Sequence, residues 1–173
     1  MFDLVDSMWN NTNQYFETLN DEHDGTQLLE GYAHWQYRVN NEIEFNSGVH
    51  YQHLTLDNQL SIEPRFGFKW RFAGNQSFNL GYGLHSQTLP IYMYFNRTVI
   101  SPTDYTQPNL GLNFNKSHHF VAGYDWKINE NMRIKAEAYY QSLFDIVVED
   151  ANSSYSTLNA ASQTFFMPDK LKN

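Results

Sequence analysis

The residues that could do chemistry in this chain are histidines and paired carboxylates. His118 and His119 are adjacent. Because consecutive residues of a strand point to opposite faces, two such side chains on a strand cannot chelate one ion together. Glu42 and Glu44 have the composition of an acid–base pair, but the sequence supplies no nucleophile or pocket beside them. We therefore predict that the chain is not an enzyme and that it holds neither a metal nor a cofactor.

Three other histidines and a row of charged residues share one parity of the predicted strands. His34, His50 and His85 are scattered along the sequence. They are interpreted either as separate, hydrated histidines of the polar face or as a metal cluster on that face. The charged row is Glu63, Arg65, Lys69 and Arg71. Side chains on one face of a sheet lie beside those of the adjoining strands, so we interpret this row as part of a cross-strand ion-pair lattice.

The element that positions this row is a predicted hairpin over residues 61–87. Its first strand reads SIEPRFGFKWRF, its turn AGNQ and its second strand SFNLGYGLHSQ. Apolar and polar residues alternate strictly in both strands, which is typical of a strand with one apolar and one polar face.

The rest of the chain predicts four more strands, joined by tight turns and long loops. The predicted strands outside the hairpin are residues 27–38, 42–56, 118–128 and 132–148. The predicted turns are residues 39–41, 56–59 and 129–131. The predicted loops are residues 1–26, with a strand remnant near residues 2–5, and residues 88–117 and 149–163. Together these elements predict an all-β, antiparallel up-and-down meander of about six long strands.

Charge placement supports this assignment of faces. Every charged side chain within the predicted strands lies on the polar parity: Glu30, Arg38, Glu42, Glu44, Glu63, Arg65, Lys69, Arg71, Asp125, Lys127, Arg133, Lys135, Glu137 and Asp145. Random placement would not separate charges so completely. The pattern does not decide what covers the apolar face, because a soluble antiparallel sheet also separates its faces.

Composition limits the class of protein. The 173-residue chain has no cysteine, which excludes disulfides and thiolate metal sites, and its net charge of −8 argues against a nucleic-acid partner. Aromatic residues make up 17% of the chain although its mean hydropathy is −0.61. The first residues lack a basic region followed by an apolar run, so we expect no signal peptide here: either the protein is cytoplasmic or its N-terminal part is missing.

Three features favour a membrane barrel over a soluble sandwich or binding module. The predicted strands exceed the usual length of about 5–6 residues. Short turns and long loops tend to alternate, as they do in outer-membrane barrels, although the short connection at 56–59 is an exception. Large aromatic residues gather beside the tight turns, like an interfacial girdle. They are Trp35, Tyr37, Phe45, Trp70, Phe72, Phe78, Tyr124 and Trp126.

The sequence also resembles the barrel region of TonB-dependent outer-membrane receptors, particularly the Bacteroidetes type. The stretches that carry the resemblance are LLEGYAHWQYRVN, IEPRFGFKWRF, LGYGLHSQTLP, NKSHHFVAGYDWKINENMRIKAEAYYQSLFDIVVE and SSYSTLNA. They occur in the family's order, from about residue 26 to 160. The resemblance implies that residues 1–173 are an interior, unclosed part of a transmembrane β-barrel, with the signal peptide, plug domain and remaining strands absent.

The resemblance implies a function in transport. We expect a segment of an active transporter in the outer membrane of a Gram-negative bacterium, taking up a scarce nutrient of unidentified class with energy from the TonB complex. The expected partners are outer-membrane lipid, the receptor's own plug, the TonB complex and the nutrient. The implied orientation places residues 73–76 at the periplasmic rim, Phe66, Phe68 and Trp70 toward lipid, and Glu63, Arg65, Lys69 and Arg71 toward the lumen and plug.

A soluble β-sheet module that stacks its aromatic residues on carbohydrate is the alternative function. In the transporter hypothesis, the loop at 88–117 lies on the outer rim and offers candidate ligand contacts: Tyr92, Tyr94, Arg97 and Tyr105. Packing of this loop on neighbouring loops is the other interpretation of the same residues.

Overall fold

A six-stranded antiparallel meander is the main element of the fold. The computed structural model describes residues 2–11, 14–101, 104–159 and 170–173. The elements in chain order are β1 (Phe2–Asn10), β2 (Tyr15–Asp24), β3 (Leu28–Arg38), β4 (Ile43–Leu54), β5 (Gln59–Ala73), β6 (Gln76–Gln87), α1 (Ile91–Phe95), β7 (Thr98–Ser101), β8 (Asp104–Thr106), β9 (Asn115–Lys127), β10 (Arg133–Phe144), β11 (Val148–Glu149) and β12 (Leu171–Lys172).

The strand order in the main sheet is β10-β9-β6-β5-β4-β3, and every neighbouring pair is antiparallel. The sheet does not close: in the described part of the chain, β3 and β10 each pair on one side only. The prediction of an all-β, unclosed up-and-down meander is therefore confirmed. The last strand was predicted too long. It ends at Phe144 because Asp145 has a φ of 51°, which breaks extended pairing.

The cross-strand register confirms the predicted faces. Tyr51 pairs with Ile62 on the apolar face, and His50 pairs with Glu63 on the polar face. Near the tight turns, Trp70 pairs with Phe78, which pairs in turn with Tyr124, so the predicted aromatic residues form a row across three strands. The sequence alternation and the sheet register thus agree.

The prediction of a loop over residues 1–26 was wrong. Strands β1 and β2 form a separate antiparallel hairpin with a bulge between Asp6 and Ser7, and the predicted strand remnant at residues 2–5 is part of β1. A two-stranded ribbon satisfies its backbone groups within its own ladder. It therefore needs no continuous apolar stripe, and its polar composition concealed it.

The hydrophobic core lies in the loops at one end of the sheet. Its members come from the end of β4 and from the segments that connect β6 with β9 and follow β10: Leu54, Leu89, Met93, Tyr94, Phe95, Leu112, Phe114, Val147 and Leu171. We call residues 88–101, 104–114, 145–159 and 170–173 the loop layer. The prediction that residues 88–117 are irregular was wrong in part, because they contain α1, the β7–β8 hairpin and the first residues of β9. The predicted loop at 149–163 is confirmed over residues 150–159; residues 160–163 lie outside the described part.

The apolar face of the sheet remains uncovered. Many of its large side chains keep roughly two-fifths or more of their surface exposed: Leu29, Trp35, Tyr37, Val49, Tyr51, Ile62, Phe66, Trp70, Phe72, Leu80, Phe120, Ile134 and Tyr140. Isolated exposed apolar residues are ordinary on any protein, but a contiguous face of this kind marks an interaction surface.

Candidate functional site

The most deeply buried charged group described on the polar face is the carboxylate of Glu63, whose residue is 1% exposed. Its Oε2 lies 3.1 Å from His50 Nδ1 and accepts a hydrogen bond from Arg65 at 3.2 Å. Its Oε1 accepts hydrogen bonds from Gln52 Nε2 at 2.9 Å and from the Ser86 backbone N–H at 3.0 Å. A buried carboxylate is stable only when it is paired and hydrogen-bonded in this way.

Pro64 explains why a carboxylate occupies this position. The ladder between β5 and β6 stops at the pair Arg65–Gly83, immediately after Pro64, which has no backbone N–H to donate. Beyond that point the Glu63 side chain binds the backbone of Ser86, and the Ser61 and Ser86 hydroxyls lie 2.6 Å apart. Side chains thus replace ladder hydrogen bonds where the two strands separate toward the loop layer.

A second buried carboxylate, Glu44, lies near the tight turns. It accepts a hydrogen bond from Gln36 Nε2 at 2.6 Å and lies 3.3 Å from Arg38 Nε and 3.5 Å from an Arg71 guanidinium nitrogen. Glu42 precedes β4 in an exposed turn. The two glutamates therefore have different environments and do not form an acid–base pair.

The predicted charged row divides into paired and unpaired members. Glu63 pairs with Arg65, and Arg71 pairs with Glu44 on the neighbouring strand. The Lys69 side chain has no hydrogen bond or ion pair among the described residues. The neighbouring strands continue the pattern: Arg133 binds Asp125 through two nitrogens, and Lys135 lies 2.7 Å from Glu137. The contacts of Arg71 with Glu44 and of Arg133 with Asp125 cross between strands, whereas Glu63–Arg65 and Lys135–Glu137 lie within one strand.

The histidines occupy both faces, as the alternation predicts. His118 stacks on Phe144 of the apolar face at a ring-centroid distance of 4.7 Å, whereas His119 lies 2.7 Å from the Ser117 hydroxyl on the polar face. His85 lies 4.5 Å from His119, ring to ring. Within the described ranges, three or more His, Asp or Glu side chains are nowhere arranged to hold a metal ion.

The structure separates the four candidate ligand residues of the outer loop. Tyr94 is 1% exposed in the core, and Tyr92 packs against that core. Arg97 and Tyr105 lie together, with the guanidinium 4.1 Å from the ring centroid. Burial raises the pKa of the Tyr94 phenol, which accepts a long hydrogen bond from the Leu89 N–H. The structure therefore brings Arg97 and Tyr105 together and places Tyr94 in the core.

Arg97 also fastens the N-terminal hairpin to the loop layer. Its guanidinium donates hydrogen bonds to the Asp21 carbonyl at 2.6 Å and to Glu22 at 3.0 Å, and Gln107 donates to the same Glu22 carboxylate at 2.6 Å. No pattern in the sequence indicates these contacts, because the hairpin itself was not predicted. Elsewhere in the loop layer, hydrogen bonds from the ammonium groups of Lys170 and Lys172 lower the pKa of the Asp150 carboxyl.

Arg97→Ala is expected to loosen the β1–β2 hairpin. Loss of the charge-assisted hydrogen bonds removes about 1.5–3 kcal/mol of attachment, which is about tenfold or more in local opening. Hydrogen exchange of the amides of residues 15–24 measures this opening, and Lys116→Ala, which removes an ion pair to Asp145 elsewhere in the loop layer, is the control. Unchanged exchange in Arg97→Ala would show that the hairpin is held by other contacts.

Comparisons with known proteins give no match: no family model, no curated protein and no solved structure is significantly similar to this chain. No helix among the described residues is long and apolar enough to cross a membrane.

Sequence reasoning missed several partners in the polar-face sites. Gln52 and Ser86 bind Glu63, and Gln36 binds Glu44. The two glutamines and the serine are uncharged, so the prediction of an ion-pair lattice did not include them. The proline after Glu63 was the available signal, because a proline inside a predicted central strand requires another group to replace the ladder.

Proposed function

We propose that the six-stranded sheet is a wall segment of an outer-membrane transporter of the TonB-dependent receptor type. The observation that carries the proposal is the contrast between the two faces of one sheet. The apolar face exposes its aromatic and aliphatic side chains, while the polar face holds carboxylates that are satisfied by cross-strand partners. A barrel wall has this construction, with lipid on one side and a polar interior on the other.

The apolar band has the height that a bilayer requires. On β5 the band runs from Ile62 to Phe72, which is ten steps along the chain, and every second residue belongs to the apolar face. At about 3.4 Å per residue this covers about 34 Å along the strand. A strand tilt of about 40° reduces the height to about 26 Å, close to the roughly 25 Å band of outer-membrane barrels.

The location of the core argues against a soluble sandwich. The chain buries Phe114 and Val147 almost completely in the loop layer, yet Phe66 and Trp70 on the inner strand β5 remain nearly half exposed. A soluble domain stabilises itself by covering its largest apolar face. In the proposed barrel, lipid provides that cover without any protein partner.

The proposal assigns the remaining partners by face and edge. The polar face looks toward the lumen and the plug domain, the unpaired sides of β3 and β10 meet further barrel strands, and the loop layer faces the cell exterior, where the nutrient arrives. Energy coupling comes from the TonB complex through the plug. The chain supplies wall and loops and performs no catalytic step.

A matched pair of tyrosines tests the assignment of lipid to the apolar face. Tyr139 and Tyr140 are adjacent on β10, with 57% and 64% exposure, and point to opposite faces. In a background where Trp9, Trp35, Trp70 and Trp126 are replaced by Phe, Tyr140→Trp and Tyr139→Trp each place one fluorophore. In vesicles containing brominated acyl chains, we expect strong quenching of the first and weak quenching of the second, because bromine quenches only on contact in the hydrocarbon region.

A soluble binding module is the second candidate function, favoured by the exposed, stacked rings of Trp35 and Tyr37, 5.6 Å apart. Such rings form a platform for the apolar face of a sugar. If the chain remains monomeric in water without detergent and neither new tryptophan is quenched, the transporter proposal fails and the module is favoured.

A further inference from the structure

A recess on the polar face, at the tight-turn end of the sheet, gathers basic side chains. It has a volume of about 490 Å³ and opens between β5, β6, β9 and β10. Four cations line it, against the two carboxylates of Asp125 and Glu130: Lys69, Arg71, Lys127 and Arg133. The whole chain has only 11 Lys and Arg residues and a net charge of −8. The local excess of positive charge therefore runs against the charge of the molecule.

The recess retains positive charge that its own carboxylates do not neutralise. Asp125 is occupied by Arg133, and Arg71 is shared with Glu44. Lys69 and Lys127 have no side-chain hydrogen bond or ion pair among the residues that the structure describes, and the same holds for Glu130. Two ammonium groups against one carboxylate leave an excess of positive charge, which attracts an anionic ligand.

The geometry points to an acidic peptide segment as that ligand. We infer that the recess binds an extended peptide carrying carboxylates on alternate residues. The strands that supply Lys69 and Arg133 are separated by β6 and β9, so the cations spread over about 14 Å at about 4.8 Å per strand. Alternate side chains of an extended peptide repeat every roughly 6.8 Å and can reach several of these cations at once.

The lining favours a peptide over a small anion for a second reason. Asn75, Asn129 and Asn131 of the two tight turns rim the recess, and their amide side chains can exchange hydrogen bonds with a peptide backbone. Hydrogen bonds reach only about 3 Å, so a single phosphate cannot contact cations spread over four strands. The inference concerns the face opposite the proposed lipid surface and does not depend on lipid contact.

A binding measurement tests the inference with the full chain in a zwitterionic detergent. The probe is a fluorescein-labelled peptide of alternating Glu and Ser, followed by anisotropy at about 0.05 M and about 0.5 M salt. A Gln–Ser peptide is the neutral control, and inorganic phosphate is the competitor. We expect the Glu–Ser peptide to bind at low salt, to weaken at high salt and to resist phosphate at equal concentration. Binding of the Gln–Ser peptide with equal affinity, or equal competition by phosphate, would overturn the inference.

Variants locate the binding. Lys69→Gln with Lys127→Gln is expected to weaken the Glu–Ser peptide about tenfold or more. Lys170→Gln with Lys172→Gln changes the net charge equally but lies in the loop layer against Asp150, and is expected to change affinity less than about twofold. The double variant Lys69→Arg with Lys127→Arg keeps both positive charges and should bind like the unaltered chain. A loss of binding seen only in the Gln variant is then due to the lost charge and not to a folding defect. Equal loss in the two Gln variants, or absence of binding by the unaltered chain at low salt, would refute the recess as the site.

Discussion

Glu63→Ala is expected to lower the free energy of unfolding by about 3–5 kcal/mol, the usual cost of removing one partner from a buried charged network. The substitution leaves the Ser86 N–H and the Gln52 amide without their acceptor, and leaves Arg65 beside His50 without the carboxylate between them. Urea unfolding of the full chain in detergent micelles, followed by tryptophan fluorescence, measures the change.

Glu30→Ala is the matched control for this prediction. Glu30 also lies near His50, at 3.8 Å, but its side chain is about half exposed, so its removal should cost less than about 1 kcal/mol. Glu63→Gln should fall between the two, because it keeps an acceptor for Ser86 while it loses the charge. Equal effects of Glu63→Ala and Glu30→Ala would mean that the buried carboxylate does not hold β4, β5 and β6 together.

Leu80→Arg is expected to disfavour insertion into lipid vesicles by about 2–4 kcal/mol, the cost of an arginine near the bilayer midplane on a barrel's outer surface. Leu80 lies on the apolar face of β6, paired with Ala122, and is 43% exposed. Its position between the aromatic rows of Trp70 and Phe66 places it near the middle of the band. The fraction of chain that floats with vesicles after dilution from urea measures insertion.

Val121→Arg provides the comparison for Leu80→Arg. Val121 lies on the next strand, pairs with Gly81 and is 38% exposed, but it belongs to the polar face. The two substitutions therefore introduce the same charge at similar exposure on opposite sides of the sheet. A barrel wall tolerates Val121→Arg with a change below about 1 kcal/mol. Equal loss of insertion in both variants would contradict the assignment of lipid and lumen to the two faces.

Local pattern was sufficient to predict the strands of the main sheet, because side-chain direction in a strand is fixed by a period of two. The faces of His118 and His119, the pairing of Trp70 beside Phe78 and the separation of charges from the apolar face all follow from that period. The same rule fails for the β1–β2 hairpin, whose ribbon is held by backbone hydrogen bonds that leave no apolar stripe in the sequence.

Alternation along the chain is thus enough to predict the strand class, the number of main strands and the two faces of the sheet. Only the folded chain shows that Tyr94 is buried while Arg97 binds the N-terminal hairpin, that Glu63 replaces the ladder beside Pro64, and that Lys69 and Lys127 share a recess. The cause of this difference is distance along the sequence. Alternation acts between neighbours along the chain, whereas these sites join residues whose proximity depends on register, chain crossings and the packing of loops.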